Sequence, residues 1–123
     1  MDQAPTERQQ SEWREVLDRL TREHAGDDVS IEVLTAEFGD GREAERMPLA
    51  YIEYDPKADE FIVAVGGLDS RYPVVLRHLI AHPKAVLLDS ARPEVPVAVE
   101  VLGPDDSRTL ISVHKRVQAG GSR

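Results

Sequence analysis

At Gly26 the hydrophobic period of this chain changes from 3.6 residues to two, and the helical period does not clearly return. Upstream, Trp13, Val16, Leu17 and Leu20 stand at i, i+3, i+4 and i+7, which is one apolar stripe along a helix. Ser11 suits the N-cap, Glu12 the positive first turn, and Arg22 with His24 the negative last turn. Glu15, Asp18, Arg19 and Thr21 are expected on the polar outer face. Gly26 ends the helix.

Downstream, Val29, Ile31 and Val33 alternate with polar residues, the mark of a half-buried strand. Phe38-Gly39-Asp40-Gly41 reads as a turn, and residues 42–54 as a second strand. Pro48 interrupts that strand; it donates nothing to a ladder, so a bulge or an edge is expected there. Asp55 to Asp59 forms a turn, and Phe61 to Val65 is a nearly all-apolar central strand. The stretch from Arg71 to Asp89 admits either a short helix or a buried strand. β-branched residues, Pro73 and Pro83 favour strand–turn–strand, with Pro83 pushing His82 toward β or polyproline geometry. Val95, Val97, Val99 and Val101 pair with Thr109, Ile111 and Val113 as the clearest hairpin.

One helix followed by six or seven short strands on tight connections excludes a doubly wound parallel sheet. The expected class is α+β, with the amphipathic helix packed on a curved, mostly antiparallel meander sheet or small open barrel. Residues 11–117 make one domain, 1–10 a flexible N-terminus and 118–123 a disordered Gly/Ser tail.

Composition then removes whole classes of function. The chain has no cysteine, so thiolate metal sites, iron–sulfur clusters and cysteine nucleophiles are out. Fifteen basic against 23 acidic residues leave a net charge of −8. Such a chain repels a phosphate backbone, so no nucleic-acid partner is expected. No apolar run approaches the roughly 18 residues of a membrane span, and the polar Met1–Gln10 segment has no signal-like core. A cytoplasmic protein without membrane contact is expected.

His78 and His82 are the sharpest candidates for a metal pair. A helix would put both imidazoles on one face, but a strand separates them by about 13 Å, too far to share an ion. No metal, cofactor or catalytic set is therefore expected; His78 reads as a sheet residue and His82 as an exposed turn residue. The paired acids Asp55 and Asp59 read as caps on turn amides. No serine stands in a Gly-x-Ser-x-Gly setting, and no glycine run has a phosphate-cradling pattern.

Ser11-Glu12-Trp13, Val29–Val33, Met47-Pro48-Leu49, Tyr54-Asp55-Pro56 and His78-Leu79-Ile80 with Pro83 and Val86 recur in this order. In them the chain resembles a family of small bacterial proteins known only as a domain of unknown function. The resemblance covers most of residues 11–113 and implies a self-contained α+β unit. Family members tend to carry an acid or polar residue before His-Leu-Ile, where this chain has Arg77.

Two functional expectations follow. The first is a non-enzymatic binding or protein-interaction domain, forming a homodimer or partner complex through an edge strand. The second is a small-ligand carrier or enzyme with a site at the mouth of the curved sheet, lined by Tyr51, Tyr54, Arg77 and His78.

Overall fold

The fold starts with a capping box that the hydrophobic stripe does not reveal. In the computed structural model, which describes residues 4–35, 39–67, 74–89 and 97–114, helix α1 spans Glu7–His24. Thr6 is its N-cap: its hydroxyl accepts from the Gln9 amide at 3.1 Å, and the Gln9 side chain accepts from the Thr6 amide at 2.9 Å. The helix therefore opens four residues before Ser11, and residues 7–10 belong to it rather than to a flexible end. The Thr6-x-x-Gln9 spacing is the signal that marks this start. The last helical turn does close where expected, with Gly26 in the left-handed region at φ 91°.

Seven strands follow: β1 Asp28–Thr35, β2 Gly39–Asp55, β3 Glu60–Gly66, β4 Val74–Ala81, β5 Ala85–Asp89, β6 Val97–Leu102 and β7 Arg108–His114. They form one antiparallel sheet in the order β4-β3-β2-β1-β7-β6-β5. The α+β class is as expected, and the segment 74–89 is strand–turn–strand. The sheet is not closed into a barrel. The turn expected over Phe38–Gly41 is strand from Gly39, with Gly39, Asp40 and Gly41 paired to Thr35, Leu34 and Val33; expectations at Phe38 itself, Tyr72, Val95 and the 118–123 tail lie outside the described residues.

The long β2 serves two partners in turn. Its first half, through Pro48, pairs with β1; from Leu49 onward it pairs with β3. At the handover Arg46 takes φ 54° and the β1–β2 register shifts twice. Pro48 pairs with Asp28 on the last rung before β2 leaves its first neighbour, with register shifts on either side of it, between Met47 and Ala44 and between Leu49 and Tyr51.

Beyond Pro48, β2 has a backbone edge with no strand beside it among the described residues, and the α1 segment covers it. The Gly26 amide donates to the Leu49 carbonyl at 2.8 Å, and the Leu49 amide to the Asp27 carbonyl at 2.8 Å. The Thr21 hydroxyl donates to the Ile52 carbonyl at 2.7 Å and accepts from the Ile52 amide at 2.9 Å. Thr21 is therefore not an outer-face residue. It stands in for a strand residue at a sheet edge.

This docking buries Leu17 and Leu20 among Val29 and Ile31 of β1, Leu49 and Ile52 of β2, Phe61, Val63 and Val65 of β3, and the inward valines and isoleucine of β6 and β7. Residues 61–66 of β3 are buried on both faces, as an all-apolar central strand requires. On its outer face Ala64 lies between Tyr51 and Arg77 in one cross-strand row. The Arg77 guanidinium reaches to 6.0 Å from the Tyr51 ring centroid across the small alanine, whose exposure falls to zero.

The two edge strands, β4 and β5, are consecutive in the chain and joined only by His82-Pro83-Lys84. Laid flat, seven strands would hold these edges about 29 Å apart. A three-residue link reaches no more than about 14 Å. The sheet must curl, and the fully buried Pro83 sits at the corner where its ends approach.

Replacing Thr21 by valine keeps the shape and deletes both hydrogen bonds to Ile52. The expected cost is about 1–3 kcal/mol, for two backbone groups left unpaired. Urea denaturation measures it, and Thr21→Ser should recover most of the loss. Wild-type stability in Thr21→Val would show that the edge is satisfied in another way.

Candidate functional site

The four residues expected at the sheet mouth separate onto opposite faces. Tyr51 and Arg77 share the outer face in the row with Ala64. His78 lies in the row Ile52–Val63–His78 on the core face, and Tyr54 in the adjacent row Tyr54–Phe61–Ile80 on that same face. The four therefore do not line one pocket, because neighbouring residues of a strand point opposite ways. Two pairings replace that arrangement: Tyr51 with Arg77 outside, and Tyr54 with groups beyond its own strand inside.

Tyr54 is 2 % exposed, and the Trp13 ring stands edge-on to it, centroids 5.2 Å apart at 89°. Its hydroxyl donates to Asp59 Oδ1 at 2.5 Å, while Asp59 Oδ2 lies 3.0 Å from His82 Nδ1. The Asp59 carbonyl also accepts from the His82 amide at 2.7 Å. These contacts hold His82 at φ 51°, overriding the extended geometry expected before Pro83. Asp59 is itself left-handed at φ 54°, a conformation aspartate tolerates better than most residues. Asp55 caps the turn as expected, accepting from the Lys57 and Ala58 amides at 3.0 and 3.4 Å. Asp59 does not; it bridges a core tyrosine to an exposed histidine.

The electrostatics match this geometry. Burial pushes the Tyr54 hydroxyl well above its ordinary 10.0, with the bonded Asp59 carboxylate adding to the effect. The Tyr54 hydrogen bond lowers Asp59 below its ordinary 3.8; burial opposes that shift and His82 assists it. A carboxylate accepting from Nδ1 fixes the neutral imidazole as the Nδ1–H tautomer, leaving Nε2 of an exposed ring as the proton acceptor. The chain Tyr54–Asp59–His82 ties the β2–β3 turn to the end of β4.

His78 contributes to a separate feature. A cleft of about 400 Å³ lies between β4 and the facing ends of β1 and β7. Its walls are His78 to Ala81, Val33, Thr35, Thr109 and the Pro104–Ser107 turn. Thr109 is a polar residue only 3 % exposed. The turn is pinned by the Asp105 carboxylate, which accepts from the Ser107 amide at 3.2 Å. Gly103 packs closely beneath it: a Cβ there would stand 2.7 Å from the Ser107 hydroxyl, which would have to rotate away. Among the described residues no group of three or more His, Asp or Glu is placed to hold a metal ion. Likewise, no helix among them is long and apolar enough to cross a membrane.

The Asp59 and Tyr54 shifts predict opposite pH limbs. A depressed carboxylate stabilises the fold above its unfolded value near 3.8 and loses that contribution as pH falls through its folded value. A raised tyrosine contributes in full below 10.0 and loses stability as pH climbs above it. Tyr54→Phe should weaken the acid limb and flatten the alkaline one, read as Tm against pH. A profile parallel to wild type would show that the bridge carries no linkage.

A model described as a family of unknown function, DUF5335, matches residues 5–121 of this chain. An uncharacterized protein from Aquifex aeolicus (strain VF5) is 28 % identical over 102 residues, which cover 83 % of this chain and 85 % of that protein. No solved structure matches. The family match takes in α1 with its cap and every strand of the sheet, and by it the chain belongs to DUF5335, a family of unknown function.

Proposed function

We propose that this chain is a non-enzymatic protein-interaction domain of the bacterial cytoplasm, engaging other polypeptides through the open edges of its sheet. One observation carries the reading. Of the five large hydrophobic side chains exposed among the described residues, four lie on the two edge strands: Val74 and Leu79 on β4, Leu87 and Leu88 on β5. An edge strand offers unpaired backbone groups, and proteins that do not use an edge commonly guard it with charge or proline. Here each edge carries one exposed charge, Arg77 on β4 and Asp89 on β5, beside leucines at 46–52 % exposure. The net charge of −8 favours a protein partner over a nucleic acid.

A second reading has its own observation: the cleft beside His78 has the volume of a small-ligand site. A carrier or enzyme would bind there.

Selection from a random peptide display library on the immobilised chain separates the two. The interaction reading expects enriched peptides whose capture is lost in Leu79→Lys or in Leu87→Lys, each on an exposed position that tolerates lysine. No enrichment over an unrelated protein, or equal enrichment by both variants and wild type, would remove it. Saturable thermal stabilisation by a small molecule, lost in His78→Ala, would establish the ligand reading instead.

A further inference from the structure

We infer that the free edge of β4 is a strand-addition site for an extended, antiparallel peptide of a partner protein, reading apolar–apolar–any–acid from N to C, with the acid against Arg77. This rests on the interaction reading above and names its partner.

The shape of the cleft selects an extended occupant. Four consecutive β4 residues, His78, Leu79, Ile80 and Ala81, line it. Successive strand residues point to opposite faces, so a cleft touching all four runs along the strand's edge, where the backbone amides and carbonyls lie. β3 is the only strand neighbour of β4 among the described residues. Val33 and Thr109 form the opposite wall, leaving a slot between the edge and the inside of the curled sheet. A strand inserted there continues the antiparallel order of the whole sheet.

Side chains on β4 then set the sequence. Cross-strand neighbours share a face and interact pairwise. Ile80, on the core face and 8 % exposed, and Leu79, outside and 52 % exposed, each call for an apolar residue opposite. His78 already has a partner within the chain, so the residue opposite is unspecified. Arg77 is exposed, steered over the Tyr51 ring, and forms no ion pair among the described residues. A carboxylate opposite Arg77 completes the row. Antiparallel pairing reverses the order, giving the pattern stated.

A second copy is the competing occupant. Strand β4 contains no acid, so two β4 strands cannot satisfy each other. Strand β5 reads Val86-Leu87-Leu88-Asp89, which has the right order. However, Asp89 is already engaged within its own chain, and each copy brings a charge of −8.

Fluorescence anisotropy with labelled peptides and the full chain tests the inference. The peptides are one containing Val-Leu-Thr-Glu, its Glu→Lys form, and a form N-methylated on alternate backbone amides. Wild type should bind the first about two- to fivefold more tightly than the lysine form, the size of a cross-strand charge pair. Arg77→Gln should lose that preference and Arg77→Glu reverse it, with circular dichroism confirming both folds. N-methylation should abolish binding, since it removes ladder donors and leaves the side chains. Binding that N-methylation blocks but charge does not influence overturns the acid rule and leaves edge binding intact. Binding that ignores N-methylation, or no binding, overturns strand addition on β4. Self-association in sedimentation, abolished by both Arg77→Glu and Asp89→Lys, overturns the partner peptide in favour of a second copy.

Discussion

The seam between α1 and the second half of β2 organises this protein. When β2 leaves β1 at Pro48 it carries a row of backbone groups into the interior, with no strand of the described residues beside them on that edge. Buried amides and carbonyls require partners. Thr21, Gly26 and Asp27 supply them, at distances of 2.7–2.9 Å. The same contact places Leu17 and Leu20 over the core. The helix is thus part of the sheet's hydrogen-bond network as well as a lid on its apolar face, at the point where β2 turns from β1 to β3.

That turn has a consequence at the far side of the molecule. Because β4 and β5 are joined by three residues, curling the sheet brings its two edges toward each other without pairing them. The Tyr54–Asp59–His82 bridge anchors the end of β4 at this corner, and the buried Pro83 fills it. What results is an edge strand that has β3 as its one strand neighbour among the described residues and carries the exposed Leu79 and an arginine set over the Tyr51 ring.

Much of this was legible locally. The change of period at Gly26, the bulge implied by Pro48, the all-apolar β3 and the alternation of β6 and β7 each reflect a preference of a few neighbouring residues. The start of α1 was also written there, as Thr6-x-x-Gln9, but in a cap signal outside the apolar stripe. Thr21 was misleading for a physical reason: a polar residue beside the stripe reads as solvent-facing until a sheet edge lies next to it.

The sequence by itself determined one helix followed by a run of antiparallel strands, the absence of thiol chemistry and the acidic charge, since these follow from composition and short-range spacing. Only the tertiary structure decided that Tyr51 and Arg77 meet over Ala64 while Tyr54 and His78 face inward. It also decided that Asp59 joins Tyr54 to His82, and that β4 and β5 end as opposite edges of one curled sheet. Those outcomes depend on register and strand order, where a shift of one residue exchanges the faces. No local preference encodes them, because they arise when segments up to tens of residues apart compete to bury their apolar sides and pair their backbones.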